Sequence, residues 1–152
     1  MKNRESHHDL EKAIPFLVAR AGARMGNAFS KALKPFGLSL SEWRVCASLQ
    51  YAPRQSLSEL SLQAASDLSA LSRIIDRLEG YELVVRERST TDGRSIRLKL
   101  TPKGIELTRR ITPLAKQYES VALEGFTRDE VKSLRLMLVR LYENSAVLDE
   151  AP

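Results

Sequence analysis

Apolar residues recur every three or four positions along most of this chain, and every second position in one short stretch. Over residues 10–34 the helical spacing falls on Ile14, Leu17, Ala21, Met25, Ala28 and Ala32, with Val18 and Phe29 beside them, which predicts an amphipathic first helix. Proline lacks the N–H that a helix interior needs. Pro15 therefore places the start within residues 10–14, and Pro35 with Gly37 ends the helix. Three later starts carry Ser/Thr-x-x-Glu: Ser39 with Glu42, Ser56 with Glu59, and Thr127 with Glu130. In each, the hydroxyl accepts from a free backbone N–H while the glutamate reaches back. The helices they open run to about Gln50, Gln63 and Asn144. A further helix, Asp67 to about Glu79, is predicted from the stripe Leu68, Leu71, Ile75 and Leu78, with Ile74 beside it; that stripe faces the core.

Between residues 83 and 100 the period drops to two. Residues 83–88 and 94–100 read as strands, with Ile96, Leu98 and Leu100 on a buried face and Ser95, Arg97 and Lys99 on a basic one. Asp92-Gly93 supplies the turn. Thr101-Pro102 is an N-cap followed by proline at the first helical position. That helix runs to about Glu124, with Gly125 past its end and a kink expected at Pro113. Residues 1–9 are polar and expected to be loose. The order α-α-α-α-β-β-α-α, with no internal repeat and no interdomain linker, predicts one domain over residues 1–152. Its fold class is mainly α with a small β-wing. A winged helix-turn-helix occupies about 39–100, between long helices from both chain ends, about 10–35 and 102–146.

Composition sharpens this picture in a few places. A length of 152 residues allows one domain with a real core. No apolar run reaches the roughly 18 residues of a membrane span, and the first ten residues lack the apolar stretch of a secretion signal, so a cytoplasmic protein is expected. One cysteine, Cys46, excludes an internal disulfide. The net charge of +5 favours an anionic partner only weakly, and its placement matters more. Arg86, Arg88, Arg94, Arg97 and Lys99 cluster in the hairpin against only Glu87 and Asp92.

The polar face of the fourth helix shows Ser66, Ser69, Ala70, Arg73 and Arg77. Such a face can lie in a DNA major groove, where an arginine grips guanine O6 and N7. A solvated helix face is the ordinary meaning of the same pattern; the basic hairpin that follows tips the balance, because the two form a joint signal. At the hairpin tip Arg94 is placed to enter a minor groove. Asp92 cannot bind phosphate, and either holds Arg94 by an ion pair or forms the turn. Arg86, Arg88, Arg97 and Lys99 are phosphate candidates, or simply keep the strands soluble.

Ser66 to Glu79, reading SDLSALSRIIDRLE, resembles the recognition helix of the MarR family of multiple antibiotic resistance regulators. Asp92-Gly93-Arg94, followed by Leu98-Lys99-Leu100-Thr101-Pro102-Lys103-Gly104, is similar to that family's wing and following helix start. The resemblance covers about residues 10–144. It implies a homodimer built from the first and last helices, and a transcription regulator on a pseudo-palindromic double-stranded DNA operator. Many members release DNA on binding a small aromatic or phenolic ligand. By the same resemblance Phe16, Arg20, Leu40 and Trp43 border the ligand cleft, and their chemistry suits an aromatic or phenolic acid. Those residues fit equally with Trp43 and Phe16 in the core and Arg20 on the surface. Gly80-Tyr81-Glu82 departs from the family, which more often has a basic residue followed by glycine there, and leaves the turn geometry open.

A dimer also follows from the last helix. Val131, Leu134, Leu138 and Leu141, with Leu136, Met137, Val139 and Tyr142 on adjacent faces, offer more apolar surface than one small domain covers; packing against the first helix is the other use for it. Cys46 lies among Val45, Ala47 and Leu49, a core context rather than a redox sensor. His7 and His8 have no further ligand to complete a metal site. No nucleophile–base set or phosphate loop is present, so neither an enzyme nor a cofactor is expected. The sequence thus predicts a ligand-responsive repressor. The alternative is a winged-helix protein used for protein–protein contact without specific DNA binding.

Overall fold

The computed structural model describes residues 9–64 and 66–150. The loose segment expected over residues 1–9, with His7 and His8, lies outside them except for Asp9. The elements are α1 (Ile14–Leu33), α2 (Leu40–Tyr51), α3 (Leu57–Ala64), α4 (Leu68–Gly80), β1 (Val84–Arg88), β2 (Ile96–Leu100), α5 (Pro102–Ala122) and α6 (Arg128–Ser145), with short 3-10 turns at Lys34–Phe36 and Ala146–Glu150. The predicted order and type hold throughout, and the boundaries shift by one or two residues. No helix among the described residues is long and apolar enough to cross a membrane. The chain divides into two units, one ending at Lys116 and the other starting at Gln117, with α5 running from the first into the second.

Each helix start has a local cause. Ser39 accepts from the Glu42 N–H at 3.1 Å while Glu42 accepts from the Ser39 N–H at 2.8 Å. Ser56 with Glu59 and Thr127 with Glu130 repeat the arrangement. Such caps contribute about 1 kcal/mol each. Thr101 caps α5, accepting from the Gly104 N–H at 3.0 Å and donating to the Glu82 carbonyl at 2.6 Å.

In the first unit the core gathers around Leu33, Val45, Leu49, Leu60, Leu71, Ile75, Leu78, Leu98 and Ile111, all buried. Burying side chains of this size contributes roughly 1.5–3 kcal/mol apiece before conformational entropy is charged against it. Leu71, Ile74, Ile75 and Leu78 show that α4 turns the expected stripe inward, but Leu68 is 49% exposed. It is the first residue of α4, one turn beyond the reach of the core. Ile96 also departs from the expected inner face, being 51% exposed at the outer end of the wing, while Leu98 and Leu100 are buried. The stripe of α1 is buried only at its end, by Phe29 and Leu33; Ile14, Leu17, Val18 and Met25 stay exposed.

β1 and β2 pair antiparallel, with Val84 opposite Leu100 and Arg88 opposite Ile96. The loop joining them spans residues 89–95, slightly longer than the expected 89–93, because β2 starts at Ile96. It is closed by Ser89 N–H donating to the Ser95 carbonyl at 2.8 Å, and Gly93 keeps a negative or extended φ. β2 has a second neighbour, since Leu98 N–H donates to the Gln55 carbonyl at 2.8 Å. Gln55 is itself buried, and its amide donates to the Ser48 and Ala52 carbonyls at 2.9 and 2.7 Å, closing the end of α2.

The turn left open at Gly80-Tyr81-Glu82 resolves with Glu82 at φ 61°, left-handed backbone that a side chain adopts at a cost. Glu82 therefore stands where glycine would be free of strain. Replacing it should relieve roughly 1–2 kcal/mol of strain, offset by about 0.5–1 kcal/mol of added unfolded-chain entropy. The Lys103–Glu82 pair at 3.5 Å is exposed and adds little. Urea unfolding of Glu82→Gly is expected to show a net gain of about 0.5 kcal/mol; a loss would mean that the side chain has a role beyond the turn.

Candidate nucleic-acid interface

The exposed side of α4 divides into two halves. At its start Asp67 caps the helix, its Oδ1 accepting from the Ala70 N–H and from the Ser69 hydroxyl, both at 2.8 Å. The Ala70 amide, more than the Ser69 hydroxyl, holds the Asp67 carboxyl below its ordinary value. Ser69 is thus oriented by the cap before any DNA arrives. Ser66 and Ala70 are half-buried beside it, and Arg73 is exposed one turn further on.

The second half is tied down. Arg77 donates from Nε to Glu42 Oε1 at 2.9 Å, and Glu42 is buried. Arg86, from β1, reaches Asp76 at 2.9 Å and also pairs with Glu79. Two residues expected on the DNA face, Arg77 and Arg86, therefore already have carboxylate partners inside the fold. The spacing that places Arg77 on the polar face of α4 says nothing of Glu42, which is 35 positions away.

The wing sorts its cations in the same way. Arg97 meets Glu59 at 2.8 Å, and Lys99 meets Glu87, which also lies 3.6 Å from Arg54. Lys99 is the leading cause that lowers the Glu87 carboxyl, and hydrogen bonds from Ser56 are the leading cause for Glu59, with Arg97 adding to it. Arg73, Arg88 and Arg94 are exposed and, among the described residues, their side chains have no hydrogen-bond or ion-pair partner. Asp92 forms the turn rather than an ion pair, its Oδ1 accepting from the Arg94 backbone N–H at 3.2 Å. The arginine side chain is left free at the tip.

The four residues expected at a ligand cleft do not meet within one chain. Trp43 is buried and packs edge-on against Phe29, ring centroids 5.8 Å apart. Leu40 is half-buried beside Gly26. Phe16 carries the Arg20 guanidinium 5.5 Å from its ring centre, on the exposed first half of α1. Thirteen helical residues separate Phe16 from Phe29, or roughly 20 Å along the axis. An open depression of about 560 Å³ in the second unit is lined by Leu123, Phe126, Arg128, Val131, Lys132 and Leu136 among others, and by none of the four.

Cys46 is buried, and burial more than the nearby Glu42 charge pushes its thiol up from 9.0 to about 12. A buried thiol with a raised value is the opposite of the exposed, electropositive setting that activates a reactive cysteine. A raised folded-state value stabilises the fold below the unfolded-chain value and loses that contribution as pH climbs from about 9 toward 12. Relative to Cys46→Ala, the natural protein should lose on the order of 1 kcal/mol between pH 8 and pH 10. Parallel stability curves for the two proteins in urea would contradict this.

Residues 38–96 match the model of the MarR family, a span that starts at α2 and ends at the wing. The chain is 28% identical over 150 residues to the HTH-type transcriptional repressor IacR of Pseudomonas putida, covering 94% of this chain and 90% of that protein. A MarR family transcriptional regulator from Silicibacter pomeroyi is 29% identical, with a TM-score of 0.80 over 89% of this chain and 91% of that one. The structure of Bordetella bronchiseptica BpsR, whose DNA binding is regulated by 6-hydroxynicotinic acid, shares the fold at 22% identity, with a TM-score of 0.75 over 85% of this chain and 98% of that one. Residues 38–96, the helix, turn, helix and basic wing, thus match the MarR family model, and the fold is the winged helix-turn-helix of MarR family regulators.

Proposed function

We propose that the protein is a sequence-specific, double-stranded DNA-binding transcription repressor. One observation carries this reading. Arg73 on the front of α4 and Arg88 and Arg94 on the wing are exposed cations without partners among the described residues, whereas Arg77, Arg86, Arg97 and Lys99 are paired with carboxylates within the fold. A cation left unpaired on a groove-sized helix, with a second on the adjacent hairpin, suits one anionic duplex contacted in both grooves. The repressor direction rests on the match of residues 38–96 to the MarR family model and on the likeness to IacR. Its place of work is the cytoplasm, where a bacterial-type operator lies.

The working form is a homodimer on a pseudo-palindromic operator, with the helices of residues 10–35 and 102–146 as its dimerisation region. No residue of α6 is buried in the chain, and Leu136, Met137, Val139 and Tyr142 are all more than half exposed. Ile14, Leu17, Val18 and Met25 of α1 are exposed as well. Apolar surface on this scale marks an association face. Half-sites should then lie about 34–36 Å apart, centre to centre. Release by a small aromatic acid is the second part of the reading, supported by the resemblance to the MarR family and by the likeness to BpsR. Phe16 and Arg20 lie on the exposed first half of α1, within that dimerisation region, which is where their site is to be sought.

The test is a titration of the protein against duplexes selected from a random pool and against unselected duplexes, at several salt concentrations. Selected inverted repeats should bind more tightly, and log affinity should fall linearly with log salt. Equal affinity for both pools would leave the fold as a protein-contact module. An aromatic acid that binds free and operator-bound protein equally is not an effector, because linkage requires unequal affinities.

A further inference from the structure

We infer that Glu42 and Arg77 are a positioning pair that sets the angle of α4, so that Arg77 serves DNA recognition through the helix and not by touching DNA. This rests on the DNA-binding reading above. The two oxygens of the Glu42 carboxylate are divided between tasks. Oε2 accepts from the Ser39 N–H at 2.8 Å and so closes the start of α2; Oε1 accepts from Arg77 Nε at 2.9 Å and so holds α4. Glu42 is 4% exposed, in a helix anchored by Val45, Cys46 and Leu49, all buried. A carboxylate fixed this firmly at one oxygen gives the other a fixed place, and a buried charge deprived of its partner is costly.

The opposite side of α4 is held independently. Arg86 reaches from β1 to Asp76 and Glu79. The last turns of α4 are thus tied to α2 by Arg77 and to the wing by Asp76 and Glu79. Its first turns, from Ser69 to Arg73, bear no ion pair among the described residues. Arg73 lies four residues, or roughly 6 Å, in front of Arg77 along the axis. A tilt of about 10° at the tied end therefore moves the Arg73 backbone by roughly 1 Å, enough to spoil a two-pronged hydrogen bond to a base.

Positioning and direct contact predict opposite behaviour for Glu42→Gln. This change removes a negative charge, so electrostatics alone would tighten DNA binding. Positioning predicts instead a loss of about tenfold on the selected duplex, with a flattened preference over base-substituted duplexes. Arg77→Gln should lose about as much, with the salt slope unchanged, and the double variant should lose no more than either single one. In free protein, urea unfolding of the same set should show non-additive losses. Ser39→Ala serves as a control, because it removes the hydroxyl cap but keeps the N–H that holds Glu42; it should melt earlier and bind DNA as the natural protein does. The inference is overturned if Arg77→Gln lowers the salt slope by about one phosphate while Glu42→Gln binds as well as the natural protein or better. It is also overturned if Ser39→Ala loses preference as Glu42→Gln does, which would make the effect one of general stability. If the natural protein itself shows no preference, the DNA-binding reading fails first and the positioning role falls with it; preference in the natural protein with unaltered variants sinks the pair alone.

Discussion

Gly104→Ala is expected to destabilise the protein by about 3 kcal/mol, although alanine is the better helix former. Gly104 lies in the first turn of α5, where the chain passes directly over the end of the α4–β1 connection. A Cβ built there overlaps the Leu83 carbonyl oxygen and comes within 3.0 Å of its carbon and 3.2 Å of Leu100 Cδ2. That oxygen cannot yield freely, because it accepts from the Thr101 N–H at 3.0 Å and Leu83 is itself buried. Relief requires α5 to move off the wing or the Thr101 hydrogen bond to break. Overpacking costs roughly 1–3 kcal/mol and a lost hydrogen bond about 1 more, against a gain of at most about 1 from helix propensity. Gly80→Ala provides the contrast. It lies at the end of α4 with nothing within 4 Å of a new Cβ, so it should be neutral or slightly stabilising. Urea midpoints for the two variants settle the comparison. A loss under about 0.5 kcal/mol in Gly104→Ala would show that the helix start slides without strain.

The glycine also shows where sequence reading stops. Lys103-Gly104 is visible in the sequence as part of a family-like string, but the oxygen that demands a missing side chain belongs to Leu83, twenty-one positions earlier in the connection between α4 and β1. Local chemistry was legible because its partners are three residues apart. All three Ser/Thr-x-x-Glu pairs close as capping boxes, and Thr101 caps α5. Periodicity located the strands and the inner face of α4, failing only at the ends, at Leu68 and Ile96, where the pattern continues but the core does not. Arg77 and Arg86 were legible as basic residues on the right elements. Their commitment to Glu42, Asp76 and Glu79 was not, because ion pairs between elements leave no period in the sequence. Gln55 left no signal at all; a single polar residue after Pro53 gives no hint that it closes α2 and borders β2.

The largest expected functional effects belong to Arg73 and Arg94, two of the exposed cations without a partner among the described residues. Arg73→Ala should cost roughly 1–3 kcal/mol of operator affinity and relax the preference at one base pair of each half-site. The reason is geometric: Arg73 is exposed on the untied front of α4, and its guanidinium has no partner among the described residues to give up before gripping a base. Arg94→Ala should weaken binding more on sites with narrow, A·T-rich flanks, where the minor-groove potential that draws an arginine is strongest. It should also shallow the plot of log affinity against log salt by about one unit. Arg97→Ala is the informative comparison. Counting basic residues makes it equivalent to Arg94, but Glu59 lies 2.8 Å from its guanidinium, so a phosphate would have to compete with a carboxylate already in place. Its salt slope should stay close to that of the natural protein. Competition on a panel of single-base-pair operator variants, repeated at several salt concentrations, separates the three. Uniform loss over the whole panel for Arg73→Ala would remove it from base readout and leave it a phosphate contact. Equal slopes lost by Arg94→Ala and Arg97→Ala would mean that the wing's internal ion pairs open on DNA, and that its charge acts as a whole.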